Sequence, residues 1–145
     1  MIIFVDVMAK DGKTVFTVGV FDLLHFGHVE LFRRAKALGD RLVVAVQDSE
    51  TVRKYKPESS LVQDTDVRMY MVKAIKYVDD VVVYRDVDSI VRQVPFDIFV
   101  TGGDQKHPGF LDAVDWCRSH GKEVVSLPRT EGVSSSELKE HIRNL

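Results

Sequence analysis

The chain has 145 residues, of which 45% are hydrophobic and 29% are charged, and its formal net charge is -2. A chain of this size and hydrophobic content can bury one core, so we expect a single domain over residues 1–145. The near balance of charge gives no overall attraction to nucleic acid or to an anionic membrane, so a phosphate site would have to be built locally. Cys117 is the only cysteine, which excludes an intrachain disulfide and a tetrathiolate metal site.

The N-terminal sequence MIIFVDVMAK lacks the basic segment and the long apolar run of a signal peptide, and Asp6 interrupts it. No other stretch is apolar for long enough to predict a membrane span. We therefore expect a cytoplasmic protein with no membrane insertion and no nucleic-acid partner. Residues 1–12 precede the first convincing strand, and three interpretations stay open for them: an extra edge strand, an interface segment or a flexible arm.

Apolar, β-branched runs alternate along the chain with segments of helical spacing. In chain order they predict a strand at 14–21, a helix at 29–39, a strand at 41–47, a helix at 67–75 that begins after Asp64 or Thr65, strands at 81–84 and 97–101, a helix at 110–119, a strand at 122–127 and a helix at 134–142. Residues 54–63 have no periodicity and predict a mobile surface loop. This alternation, with strands that are apolar almost throughout, is typical of a parallel sheet covered by helices on both faces.

In an open parallel sheet, ligands bind beyond the carboxyl ends of the strands. One segment at that edge, His25-Phe26-Gly27-His28, follows the first predicted strand and opens the first helix. Gly27 lets backbone approach a ligand, and a helix N-terminus offers free N–H groups to a phosphate. Both histidines can donate hydrogen bonds to a nucleotide α-phosphate and stabilise the charge that develops there during displacement.

Two other interpretations exist for this tetrad: the histidines could be hydrogen-bonded turn residues, or a metal pair. No third metal ligand is evident nearby. The position directly after a strand and at the start of a helix favours phosphate chemistry.

A second segment, RTEGVSSSELK, spans residues 129–139. Ser134 and Glu137 fit a capping box, which predicts a well-capped helix. The segment also offers a second set of phosphate-binding groups: a bidentate guanidinium, hydroxyls and a glycine that leaves room for backbone approach. These groups belong to Arg129, Thr130, Gly132, Ser134 and Ser135.

The segment GVFDLLHFGHVELFRRAKALGDRLVVAV resembles the cytidylyltransferase family, in particular the members that act on glycerol 3-phosphate and on choline or ethanolamine phosphate. RTEGVSSS is similar to the family signature RTEGISTT, with Val133 and Ser135 as mild replacements. The resemblance extends from Thr14 to the end of the chain. It implies a Rossmann-like three-layer α/β sandwich with a mostly parallel five-stranded sheet, usually a homodimer, which transfers CMP from CTP to a phosphorylated alcohol with Mg2+ and releases pyrophosphate.

The resemblance also implies roles for individual residues. Lys54 and Lys56 would close over the phosphates from the predicted loop, although a pair of solvated lysines is the plainer interpretation. The implied catalytic residues are His25, His28, Lys54, Lys56 and Arg129. The implied nucleotide-binding residues are Gly19, Val20, Phe21, Gly27, Gly102, Asp104, Gln105, Thr130, Gly132, Val133, Ser134 and Ser135.

Asp22 and Arg68 are the predicted substrate-binding residues. A turn-forming role is the alternative for Asp22, and a surface ion pair on a helix is the alternative for Arg68. No metal-ligating side chains are predicted, because the expected Mg2+ would bind with the nucleotide.

These observations predict a cytidylyltransferase with glycerol 3-phosphate as its best-fitting acceptor and CDP-glycerol and pyrophosphate as products. An anionic acceptor phosphate needs no general base, and the chain has no evident nucleophile–base pair, so direct attack on the α-phosphorus is expected. The alternatives are an adenylyltransferase, or a cytidylyltransferase that acts on choline, ethanolamine or sugar phosphate, or a nucleotide-binding module without turnover. Nothing in composition or spacing identifies the acceptor.

Overall fold

The computed structural model describes residues 12–58, 60–102 and 107–145. The strands are β1 (Thr14–Gly19), β2 (Arg41–Gln47), β3 (Asp80–Tyr84), β4 (Ile98–Thr101) and β5 (Glu123–Ser126). The helices are α1 (Phe26–Lys36), α2 (Ser49–Tyr55), α3 (Thr65–Lys73), α4 (Val87–Ile90), α5 (Pro108–Ser119) and α6 (Ser135–Arg143). No helix in the described ranges has the length and apolar character needed to cross a membrane.

Within the described residues the strands form one five-stranded sheet in the order β3-β2-β1-β4-β5, and each neighbouring pair is parallel. Helices cover both faces, because successive residues of β1 enter different cores. Val15 packs with Phe32 and Val72 on one face, whereas Phe16 packs with Phe99 on the other. The predicted Rossmann-like three-layer sandwich is therefore confirmed.

The helices differ from the predicted ones in three places. α1 begins at Phe26 rather than at residue 29, because the side chain of His25 caps its first turn. The last two residues of α2 fall in the stretch 54–63 that predicts a loop. This helix buries only Ser49 and Val52, so its sequence shows no apolar stripe of helical spacing. It is capped by Asp48, whose carboxylate accepts the N–H of Thr51 at 3.1 Å. The short helix α4 was not predicted.

The sheet order places the candidate site. In the sheet, β2 and β3 lie on one side of β1, and β4 and β5 lie on the other. The strand order therefore reverses at β1. Because the strands are parallel, the segments after β1, β2 and β4 emerge at one edge. Two residues predicted for that edge, Asp104 and Gln105, lie outside the described residues, as do residues 1–11.

Candidate active site

The start of α1 fixes the orientation and tautomer of two histidines. Nδ1 of His25 accepts the N–H of Gly27 at 3.1 Å, and Nδ1 of His28 accepts the N–H of His25 at 3.2 Å. A ring nitrogen that accepts carries no proton, so in each neutral imidazole the proton lies on Nε2. The rings stack with their centroids 3.8 Å apart. The motif therefore offers two Nε2–H donors, on stacked rings, at a helix N-terminus.

Burial keeps both imidazoles neutral. Burial first, and then the neighbouring His25 and Arg129, lower the pKa of His28 to about 3, while the carboxylate of Asp22 opposes the shift only in part. Burial also lowers the pKa of His25. Neutral imidazoles still donate through Nε2, so the pair can stabilise a developing negative charge without transferring a proton.

The turn before the tetrad carries backbone strain. Phe21 and Leu23 have φ values of 56° and 53°, in the left-handed region that side chains other than glycine rarely adopt. This turn folds the ring of Phe21 back over Gly19, where a Cβ would lie 2.6 Å from the ring. The ring then contacts His28 edge to face, with centroids 5.4 Å apart. Gly19 and Phe21 thus support the histidine pair through packing.

The second segment lies against the first. A Cβ on Gly27 would lie 3.7 Å from Cβ of Thr130 and 3.0 Å from the His25 ring. Arg34 of α1 donates to the carbonyl of Pro128 at 3.3 Å. The two motifs, about a hundred residues apart in the chain, therefore meet at the start of α1, as the position of both after parallel strands predicts.

Ser134 caps the start of α6, which is one half of the predicted capping box. Oγ of Ser134 accepts the N–H of Glu137 at 3.0 Å, and Gly132 has a φ of 76°, which favours glycine. Oγ of Ser135 donates to the carbonyl of Asp22 at 2.5 Å. The hydroxyl of Ser135 therefore joins α6 to the turn after β1.

Asp22 is 4% exposed, and its carboxylate accepts three donors. These are the N–H groups of Val62 at 2.8 Å and Gln63 at 2.9 Å, and the ammonium of Lys139 at 2.8 Å. Burial alone would raise the pKa of this carboxyl, but the ammonium and the two backbone donors outweigh it and hold the pKa below its usual value. In this conformation Asp22 has structural partners and little surface for a substrate.

Arg68 has no exposed surface, so the surface ion pair considered for it is wrong. Its guanidinium donates to the carbonyls of Val20, Gln47 and Gln63 at 2.7 to 2.9 Å and to Oγ of Ser49 at 2.8 Å. These acceptors lie after β1, at the end of β2, at the start of α2 and before α3. The enclosed side chain joins the strand ends in this conformation, and the predicted contact between Arg68 and a substrate stays a prediction.

The predicted lysines lie at the end of α2. Lys54 is in its last turn, Lys56 caps it, and both are exposed. Tyr55 between them donates to Asp86 at 3.3 Å and contacts the ring of His107. Among the described residues, neither lysine contacts the histidines, so the phosphate-binding role of the two lysines stays a prediction.

The remaining predicted residues lie at the same edge. Gly102 directly follows β4, and Val133 is partly buried before α6. Lys139 and Gln63 were not predicted as site residues. Lys139 stands four residues after Ser135 and so on the same side of α6, but only the fold shows that this side meets Asp22.

A Rossmann-like sheet with two stacked histidines at the strand-order reversal agrees with a nucleotidyltransferase, and the family match supports that class of enzyme. The sequence profile of the cytidylyltransferase-like family matches residues 16–141, and the chain belongs to that family.

Similar proteins support this assignment. Glycerol-3-phosphate cytidylyltransferase of Bacillus subtilis strain 168 is 38% identical over 137 residues, which is 92% of this chain and 99% of that protein. The bifunctional protein HldE of Azotobacter vinelandii is 36% identical over 140 residues, 95% of this chain, but the chain spans only 29% of that protein. The crystal structure of a lipopolysaccharide core biosynthesis protein from Thermoplasma volcanium superposes with a TM-score of 0.72 at 28% identity, over 83% of this chain and 99% of that one.

Proposed function

We propose that the chain transfers CMP from CTP to a small phosphorylated alcohol, with glycerol 3-phosphate as the first candidate, and releases pyrophosphate. The observation that carries this proposal is the pair of Nε2–H donors of His25 and His28, held at a helix N-terminus beside the residues 129–135. The similarity to a glycerol-3-phosphate cytidylyltransferase over nearly its whole length supports the choice of nucleotide and acceptor.

The proposed reaction is a direct displacement at the α-phosphorus. An oxygen of the acceptor phosphate forms the new P–O bond, and the bond to pyrophosphate breaks, so the electron pair leaves with pyrophosphate. His25 and His28 donate hydrogen bonds to the α-phosphate oxygens, whose charge grows in the transition state. A proton acceptor is not needed, because the attacking oxygen is already anionic. The low pKa of His28 agrees with a donor that stays neutral throughout.

The rest of the triphosphate would be held by a second helix N-terminus. Arg129, Thr130 and the free N–H groups at the start of α6 are the proposed ligands, with Lys54 or Lys56 closing from α2. We propose that Mg2+ binds with CTP through phosphate oxygens, which are the hard ligands that it prefers. Among the described residues, no three His, Cys, Asp or Glu side chains lie close enough together to hold a metal ion. The carboxylate of Asp22, near the histidines, already accepts three hydrogen-bond donors.

The identity of the acceptor is less well supported than the class of enzyme, because two HldE relatives are 36% identical to this chain and the glycerol-3-phosphate cytidylyltransferase is 38% identical. A sugar phosphate stays the second candidate acceptor and ATP the second candidate nucleotide, as the sequence leaves both open. The test is pyrophosphate release with CTP or ATP, each combined with glycerol 3-phosphate, choline phosphate, ethanolamine phosphate and a sugar 1-phosphate. We expect release with CTP and glycerol 3-phosphate. Binding of CTP without release for any acceptor would support a binding module and contradict the proposal.

We also propose that the chain forms a homodimer through α3 and the edge strand β3. Val67, Tyr70 and Met71 of α3 are exposed, as is Val83 of β3, and Tyr70 is 76% exposed. An exposed apolar patch beside a strand edge that no other described strand pairs with is typical of an interface. Light scattering of the wild-type chain should give a dimer mass, and Tyr70→Glu should shift it to a monomer. Leu111→Glu, at an exposed apolar residue of α5, is the matched control.

A further inference from the structure

α6 is attached to the rest of the molecule through polar contacts. None of its residues is fully buried, and Leu138 and Ile142 are 37% and 60% exposed. Within α6, only Ser135 and Lys139 are partly buried, and both contact Asp22. A helix without buried apolar residues gains little from packing, so its place is fixed by these contacts at its start and by the hydrogen bond from Arg143 to Oγ of Ser60, at 3.2 Å, at its end.

The two contacts hold different atoms of the same residue. Ser135 donates to the carbonyl of Asp22, and Lys139, one turn later, bonds its carboxylate at 2.8 Å. The side chain of Lys139 is 17% exposed, whereas the pair formed by Arg143 and Glu140 at the end of the helix is 58% and 63% exposed. The Lys139–Asp22 pair is thus partly desolvated and its loss would leave a buried carboxylate without a cation.

The same carboxylate also holds the chain before α3. It accepts the N–H groups of Val62 and Gln63, and the side-chain oxygen of Gln63 accepts the N–H of Leu23 at 3.1 Å. Leu23 lies between Asp22 and His25 in the turn that leads to α1. One buried carboxylate therefore joins α6, residues 62–63 and the turn before the histidines.

We propose that Lys139 is a positioning residue for the reaction proposed above: through Asp22 it sets the start of α6, where the triphosphate would bind, relative to His25 and His28. This inference rests on the proposed function. Lys139 does not touch the reacting atoms. Its loss lets the start of α6 shift relative to residues 62–63, which weakens nucleotide binding more than it slows the chemical step.

The first test measures the contact itself and needs no turnover. Amide hydrogen exchange at Val62 and Gln63 is compared between the wild-type chain, Lys139→Met and His141→Gln. His141 is exposed on the same helix and takes no part in the contacts with Asp22 and Ser60, so its variant is the matched control. We expect faster exchange at both amides in Lys139→Met alone, by about tenfold. Unchanged exchange in Lys139→Met would overturn the proposal.

The second test is steady-state kinetics with CTP and the acceptor. In Lys139→Met the KM for CTP should rise by about tenfold while kcat falls by less than about threefold, and Lys139→Arg should recover most of the loss. A fall in kcat with an unchanged KM would overturn the proposal. If Lys139→Met does not fold, Lys139→Gln, which keeps a donor but removes the charge, takes its place. A wild-type chain that turns over no nucleotide contradicts the proposed function, whereas the exchange experiment still decides whether Lys139 holds residues 62–63.

Discussion

The imidazole of His28 uses Nδ1 to accept the backbone N–H of His25, at 3.2 Å, and the two rings stack 3.8 Å apart. This relationship assigns the Nδ1 atoms to the helix start and leaves the Nε2–H groups for a ligand. The histidines are therefore part of the helix cap and of the candidate site at once, and a substitution can separate the two tasks.

Substitution of His28 by asparagine or glutamine separates the capping role of Nδ1 from the ligand-binding role of Nε2–H. Asn keeps an acceptor near the position of Nδ1 but has no distal donor, whereas Gln can place an amide N–H near the position of Nε2. We expect His28→Asn to lower kcat by about 10²- to 10³-fold, the usual effect of removing one donor to a developing charge, and His28→Gln to lower it less.

The measurement is kcat for pyrophosphate release under saturating CTP and acceptor. Thermal unfolding of both variants is the control for the cap. Equal losses of kcat in the two variants would contradict the assigned role of Nε2.

The low pKa of His28 also predicts how stability depends on pH. The pKa is about 3 in the folded chain and 6.5 as the ordinary value, so between these pH values the unfolded chain binds a proton that the folded chain does not. The free energy of unfolding should therefore fall as the pH drops from 6.5 towards 3, by up to about 1.4 kcal/mol per pH unit from this residue.

Urea unfolding at about pH 7 and about pH 5 tests this dependence. His28→Asn should show a smaller decrease than the wild-type chain, because it lacks the titrating imidazole. The lowered pKa of Asp22 acts at lower pH, where its stabilising charge is lost as the carboxylate is protonated. The same pH dependence in wild type and His28→Asn would show that His28 is not held neutral by burial.

Arg68 offers a test between a structural and a substrate-binding role. Its guanidinium is fully buried and meets four acceptors, among them the carbonyls of Val20 and Gln47. Arg68→Met leaves these acceptors unpaired and should destabilise the chain by about 3 kcal/mol. Arg68→Lys should also destabilise it, because one ammonium cannot reach the same set of acceptors.

Denaturant unfolding gives the stability of both variants, and the KM for the acceptor gives the competing readout. A variant with wild-type stability and a raised KM for the acceptor would contradict the structural role of Arg68 and support the substrate contact that the sequence predicts.

The sheet could be predicted because each strand carries its own signal. The apolar runs that became β1 and β2 and the helical spacing of the residues that became α5 are local patterns. α2 and α4 carry no such pattern: one is started by Asp48 and buries little, and the other is very short. Local patterns therefore gave the layers but not every helix.

The site could be predicted in part for a related reason. The motifs with His25 and Arg129 are visible in the sequence, and their position after parallel strands brings them together. The burial of Asp22 and Arg68 was not predictable, because it depends on the fold: Asp22 is bound by Val62 and Lys139, 40 or more residues away, and Arg68 by the ends of two strands. The residue type alone does not distinguish a buried polar side chain from an exposed one that binds a ligand.

Direct displacement at the α-phosphorus is the central claim, and the stereochemistry of that atom tests it most directly. The wild-type chain is incubated with CTP that carries sulfur in one configuration at the α-phosphate, together with glycerol 3-phosphate, and the configuration of the product is determined. One direct displacement inverts the phosphorus, so the predicted product is the CDP-glycerol analogue with inverted configuration. Retained configuration would reveal two displacements and a covalent enzyme intermediate, and would contradict the account.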